Sequence, residues 1–424
     1  MLGPESFGGF VAEASRAGEL VVQPRMGFGT PELMRAGLVA VKHAAATTAG
    51  TITLDSYTRV GDHAAARAAL DTGADLNGYP IVTHDTATTR AVLRDVHDPS
   101  FPVQVRHGAA GPEDIVHALV RAGLSATEGG PVSYCLPYSR IPLRESVRSW
   151  ARCCEFLAAL RGPGVEPHLE TFGGCLMGQL CPPSMLVALS VLEGLFFRQH
   201  GLRSISLSYA QQTSAAQDRE ALGALDKLAG SLLSGTEWHI VLYTYMGVHP
   251  KTRGGARLLL EQAAALAAST GAARLIVKTV SEAHRIPTIA ENVEALEAAA
   301  TAARSAPRPE AGRPAGDTEV YAEARALLDR VLDLHEDVGR AVVAAFERGF
   351  LDVPFCLHPD NPGRATSYLG PGGRLHWLEV GSLPIGPPGR AGRRPRMTAE
   401  GLLSSLSYLA RTFDEAAREA GSRP

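Results

Sequence analysis

Short apolar runs alternate with longer amphipathic stretches along the first three quarters of the chain. Nine runs read as β-strands: residues 20–22, 51–54, 76–82, 103–105, 124–127, 165–169, 204–207, 239–243 and 275–277. The stretches between them carry helical periodicity. Residues 184–199 and 256–269 are rich in leucine and alanine, and Gly271 stops the second. Regular alternation of strand and helix predicts an α/β fold, a parallel sheet sheathed in helices and closed as a (β/α)8 TIM barrel. Eight staves close such a barrel, so one of the nine candidates lies outside it.

The alternation stops near residue 304. Residues 305–317 turn to Pro, Arg, Gly and Ala, as in a linker or surface loop. The expected division is a catalytic barrel over 1–304 and a smaller C-terminal α+β extension over 318–424. Within the extension, 320–346 predicts one long helix, 350–355 follows it, and 367–380 predicts a hairpin turning at Gly370-Pro371-Gly372-Gly373. Arg390, Arg393, Arg394 and Arg396, interleaved with Pro and Gly, read as a solvated loop.

Charge and composition narrow the function classes. The 424 residues carry a formal net charge of -3, so no global basic field argues for nucleic acid or an anionic membrane. The most apolar stretch, 186–197, is interrupted by Glu193 and falls short of the roughly 20 residues a bilayer span needs. The first ten residues lack a basic region followed by an apolar one, so a cytoplasmic protein is expected. The six cysteines form no Cys-x-x-Cys pair and no zinc-like spacing with histidine, which predicts reduced structural thiols and no metal site.

The chemistry concentrates in polar blocks that close the strands: Gln23-Pro24-Arg25-Met26-Gly27, Asp55-Ser56-Tyr57-Thr58-Arg59, Gln104-Val105-Arg106-His107-Gly108 and Glu128-Gly129-Gly130. Three of them put an arginine at a strand's exit. A guanidinium offers a planar fork of donors that stays charged, so several converging on one pocket can hold a dicarboxylate. Alternatively, each pairs with a neighbouring acid.

Together with Leu76-Asn77-Gly78-Tyr79-Pro80, Ser133-Tyr134, Pro137-Tyr138, Phe172-Gly173, Pro182-Pro183-Ser184-Met185, Gln217-Asp218, Ile276-Val277-Lys278-Thr279, Glu282-Ala283 and Ile286-Pro287-Thr288, these blocks resemble the large epsilon subunit of glutamate mutase (methylaspartate mutase) over residues 22–384. The resemblance implies an adenosylcobalamin-dependent isomerase that interconverts L-glutamate and (2S,3S)-3-methylaspartate by radical fragmentation and recombination. It implies a barrel mouth closed by a small sigma subunit, which carries the cobalamin and ligates its cobalt through an Asp-x-His-x-x-Gly loop. Two large and two small subunits would assemble as a heterotetramer. By position, Arg25, Arg59 and Arg106 resemble the clamp on the substrate carboxylates, with His107, Tyr134 and Tyr138 as further substrate contacts. Glu128 resembles the residue that meets the substrate ammonium and takes a proton from it. Gly27, Asn77, Pro137, His249, Lys278, Glu282 and Ile286 resemble cofactor contacts, Lys278 and Glu282 holding the ribose hydroxyls.

The chain departs from the family pattern at Pro131, where a third glycine is usual, at Cys135, which replaces an asparagine, and at His249, which replaces a phenylalanine. The segment before Val22 is shorter than usual. The nearest approach to the cobalt-ligand motif is Asp333-Leu334-His335-Glu336-Asp337-Val338-Gly339, one residue too long, and His335 reads as an ordinary helix residue. The corrin is therefore expected from a partner. Two other classes fit the same blocks: a cobalamin-independent barrel lyase or aldolase acting on an oxo-acid through a Lys278 Schiff base, and a non-catalytic glutamate-binding subunit.

Overall fold

The computed structural model describes residues 6–307, 317–386 and 398–421. Eight parallel strands form one sheet: β1 (Val21–Pro24), β2 (Gly50–Thr53), β3 (Val103–Arg106), β4 (Ala126–Gly129), β5 (His168–Thr171), β6 (Ser204–Ala210), β7 (Glu237–Tyr243) and β8 (Arg274–Val277). Each pairs with its neighbour, β8 pairs with β1, and a parallel bridge between Val22 and Thr48 brings β1 against β2 to complete the (β/α)8 barrel. The candidate left out is 76–82. It meets the sheet only at a Leu54–Tyr79 bridge. Gly78 presses against the Leu54 and Asp55 backbone, where a Cβ would come within 2.5 Å, and Pro80 has no N–H to donate to a ladder.

Alternation along the strands sorts their side chains. Val22, Ile52, Val105, Leu169 and Leu275 face outward into the main core beneath the helices. The inward positions are polar: Gln23, Gln104, Glu170, Ser206 and Arg274 are fully buried and hydrogen-bonded across the lumen. Below them, the N-terminal helix Phe7–Arg16 plugs the barrel. Its Phe7 stacks on His168 at 4.9 Å, lies 5.0 Å from the Arg274 guanidinium and packs with Val21, Ala49, Ala126 and Ala273.

Beyond residue 317 the chain wraps the outside of the barrel. The expected long helix is two, Glu319–Leu332 and Val338–Arg348. His335 lies in the turn between them, so it is not a helix residue: it is exposed, and its Nδ1 accepts the Asp337 N–H at 2.8 Å while Asp337 caps the second helix. The hairpin forms as expected, from antiparallel β9 (Thr366–Leu369) and β10 (Leu375–Glu379). Helix Tyr408–Gly421 packs on Arg253–Thr270, and its Asp414 accepts the backbone N–H groups of Lys251 and Thr252 at 3.0 and 2.9 Å. All six cysteines are buried free thiols. Among the described residues, no helix is long and apolar enough to cross a membrane. The arginine run at 390–396 and most of the 305–317 loop lie outside the described residues.

Candidate active site at the barrel mouth

The exits of β1, β2 and β8 enclose a cleft of about 500 Å³ lined by Arg25, Gly27, Arg59, Asn77, Glu282 and Ile286, among others. Each is placed by local structure. Asp55 caps the single turn Ser56–Arg59 by accepting the Tyr57 and Thr58 N–H groups, and Asn77 accepts the Ser56 N–H at 2.9 Å. That turn folds Arg59 back so that Nε and Nη2 donate to the Leu54 carbonyl at 2.8 and 2.6 Å. Gly27 is required by proximity, since a Cβ there would stand 2.2 Å from the Thr53 carbonyl oxygen. Arg25 reaches Glu282 at only 3.8 Å. Burial lowers the Arg59 pKa, and the Arg25 charge adds to the effect although Tyr134 opposes it.

Behind the cleft lies a buried wall. Arg106, at the end of β3, meets Glu128 at 2.9 Å, donates to the Tyr243 hydroxyl at 2.9 Å and lies 3.5 Å from Glu170. Burial opposes its charge, but Glu128, Tyr243 and Glu170 together raise its pKa well above the usual value. Glu128 also accepts from the hydroxyls of Tyr134 and Tyr243 and from the His107 N–H. The His107 ring stacks on Trp150 and meets Tyr134 edge-on, its Nδ1 accepts the Ala109 N–H, and its buried Nε2 has no partner. Burial, then the charges of Arg59 and Arg106, push His107 down to about 3, so the ring is neutral.

The remaining residues separate. Pro137 and Tyr138 line a second cleft of about 600 Å³ with Met177, Met246, Phe355 and Leu357. Tyr138 is half exposed and its ring lies 5.9 Å from Tyr134. Lys278 and His249 are buried side by side and line neither cleft. Burial lowers Lys278 to about 8, helped by Arg25 and opposed by Glu282.

Several site residues escape a reading of the sequence by blocks. Glu170 and Tyr243 complete the wall, and Arg274 anchors Glu170 from below. The signal for them was alternation: Glu170 and Arg274 are charged residues inside apolar strands, on the face shared with Gln23 and Gln104.

An eight-stranded parallel barrel that gathers cations, a buried acid and tyrosines at the C-terminal ends of its strands is a TIM-barrel enzyme. The chain belongs to the methylaspartate mutase E chain (MutE) family, whose model matches residues 4–401. That family makes it an isomerase. Its relatives include the "Glutamate mutase epsilon subunit" of Escherichia coli O157:H7, 31% identical over 349 residues covering 78% of this chain and 72% of the relative. The protein of the same name from Desulfitobacterium hafniense (strain Y51) is 32% identical over 366 residues, covering 82% and 75%. That from Halobacterium salinarum is 30% identical over 344 residues, covering 78% and 71%.

Proposed function

We propose that the chain is the substrate-binding subunit of an adenosylcobalamin-dependent mutase that interconverts L-glutamate and (2S,3S)-3-methylaspartate with a separate small cobalamin-binding subunit. The observation that carries this reading is the pairing of Arg25 with Arg59 across an open cleft. Two guanidiniums close enough that one depresses the other's pKa are relieved by an anion between them. Arg106 and Glu128 supply the complementary ends: a carboxylate replaces Glu128 on the guanidinium, and the substrate ammonium replaces Arg106 on Glu128. The unpaired His107 Nε2 adds a hydrogen bond at the same wall.

Four of the residues assigned to the cofactor, Gly27, Asn77, Glu282 and Ile286, share the cleft, whereas Pro137 lines the second cleft and Lys278 and His249 are buried and line neither. Gly27 leaves the cleft floor at backbone level, Glu282 suits a ribose hydroxyl with Asn77 and Ile286 beside it, and Lys278, His249 and Pro137 reach the group only if it extends beyond this cleft. The group supplies a 5′-deoxyadenosyl radical when bound. The chain's own residues hold both carboxylates, accept the ammonium at Glu128 and keep water from the wall. A partner that closes the mouth fits the surface: Leu33, Tyr57, Val60, Tyr138, Val248, Ile286 and Leu357 are large exposed apolar side chains on segments that follow strand ends or border them.

Reconstitution with the small subunit and adenosylcobalamin tests the reading. Conversion of L-glutamate to 3-methylaspartate is expected, whereas unchanged glutamate with isomerisation of another amino acid overturns the substrate. A second reading, a Schiff-base lyase, is favoured by one observation, the Lys278 amine held near 8. Borohydride trapping of an oxo-acid on Lys278 would select it.

A further inference from the structure

Helix Pro183–Gln199 is buried along nearly all its length, and in its interior, between Leu192 and Gly194, stands the carboxylate of Glu193. Its hydrogen-bond partners are four backbone amides and one hydroxyl. Oε1 accepts from the Val132 and Ser133 N–H groups at 3.3 and 2.9 Å and from the Ser133 hydroxyl at 2.7 Å. Oε2 accepts from the Phe172 and Gly173 N–H groups at 3.1 and 2.7 Å. One oxygen thus serves the exit of β4 and the other the exit of β5. Gly130 makes room for it, since a Cβ there would stand 2.0 Å from Oε1.

The two exits carry the buried wall. Tyr134, one residue beyond Ser133, donates its hydroxyl to Glu128 and rests against Phe172 at 5.0 Å. Phe172 meets Tyr243 edge-on at 5.5 Å, and the Tyr243 hydroxyl, whose one proton faces Glu170 and Glu128 together, lies 3.1 Å from Glu128. The Tyr134 hydroxyl on Glu128 therefore follows directly from backbone that Glu193 ties, and Tyr243 meets the same backbone through the Phe172 ring. A leucine would satisfy the helix's packing but none of these donors, and buried amides left unpaired are costly.

We propose that Glu193 is a positioning residue: its carboxylate locks the β4 and β5 exits to one another so that Tyr134 and Phe172 hold Glu128 in its ligand-binding orientation. The proposal rests on the reading of Glu128 as the ammonium-binding group. Glu193→Gln keeps the shape and one acceptor but turns a donor toward amides that already donate.

Amide exchange and L-glutamate binding on the full chain provide the test, at about pH 8, above the value of about 7 to which burial pushes the Glu193 carboxyl. Glu193→Gln is expected to lose about tenfold or more in exchange protection at Val132, Ser133, Phe172 and Gly173, and about tenfold in glutamate affinity. Ser133→Ala should show the same signature at smaller size, and serves if the glutamine variant fails to fold. Leu192→Ala, in the same helix, should lower the melting temperature without changing glutamate affinity. Unchanged exchange at the four amides overturns the proposal. So does lost protection with unchanged affinity, which would reduce Glu193 to a fold element. If the unsubstituted chain binds no glutamate, the substrate reading fails instead, and the exchange result still decides whether Glu193 holds the two exits.

Discussion

Arg106 and Glu128 neutralise one another at the back of the site, Nη2 lying 2.9 Å from Oε2 with both side chains shielded from solvent. A zwitterionic amino acid can enter such a pair without leaving either charge bare, because its own two charges replace those that part. On the proposed reading, Arg25 and Arg59 nearer the opening take the second carboxylate.

Removing one member is therefore costly. Arg106→Ala should destabilise the fold by about 3 to 5 kcal/mol, because Glu128 stays buried without its cation. Urea denaturation reads this directly. In the reconstituted enzyme kcat/KM should fall about 100-fold or more, and unchanged kinetics would remove Arg106 from the site.

Lys278 should titrate far below an exposed lysine. Its pKa is lowered to about 8, so above that pH the folded chain has released a proton that the unfolded chain still binds. Stability contributed by this position therefore rises between about pH 8 and the ordinary lysine value of about 10.5. Amine acylation of Lys278 followed by peptide mapping should show a midpoint near 8, and a midpoint near 10 would contradict the buried placement.

Four buried imidazoles set the acid limb. Burial pushes His107, His168 and His249 down to about 3 and His239 well below the ordinary histidine value, so the unfolded chain binds protons there that the folded chain refuses. Stability is lost as pH falls from about 6.5 toward 3. Glu193 and Asp218, raised to about 7 by burial, act in the opposite sense between the ordinary carboxyl range and 7. His84 and His97, also lowered by burial, and Asp226 and Glu323, also raised by it, make six groups against four, which should leave the urea midpoint falling from pH 6.5 to 5, and His168→Gln should flatten that slope.

Gly27→Ala should push the exits of β1 and β2 apart, at about 1 to 3 kcal/mol, and weaken glutamate binding because Arg25 and Arg59 flank the displaced backbone. Gly386→Ala, where a Cβ meets nothing within 4 Å, is the matched control. Equal melting temperatures for the two variants would show that the close approach is not needed.

The strand and helix rhythm was enough to read the barrel, because parallel staves and their covering helices each bury one apolar face. It failed at 76–82, whose apolar residues pack as a strand's would although Gly78 and Pro80 forbid a ladder. It failed again at 333–337, where helical periodicity runs on across a turn that Asp337 caps. The strand-end arginines were visible as a repeated position. Their order was not: Arg25 and Arg59 share a cleft while Arg106 is tied to Glu128 behind it, a distinction set by Glu170 and Tyr243 from strands far along the chain. Glu193 showed only as a charge interrupting an apolar run, since four of its five hydrogen-bond donors are backbone amides, which carry no side-chain signature.

The Phe7 plug has a consequence for turnover. With the far end of the barrel stoppered by an aromatic ring, the described residues leave the C-terminal ends of the strands as the way into the cleft. In the mutase proposed above, the subunit that covers this mouth governs entry and release alike.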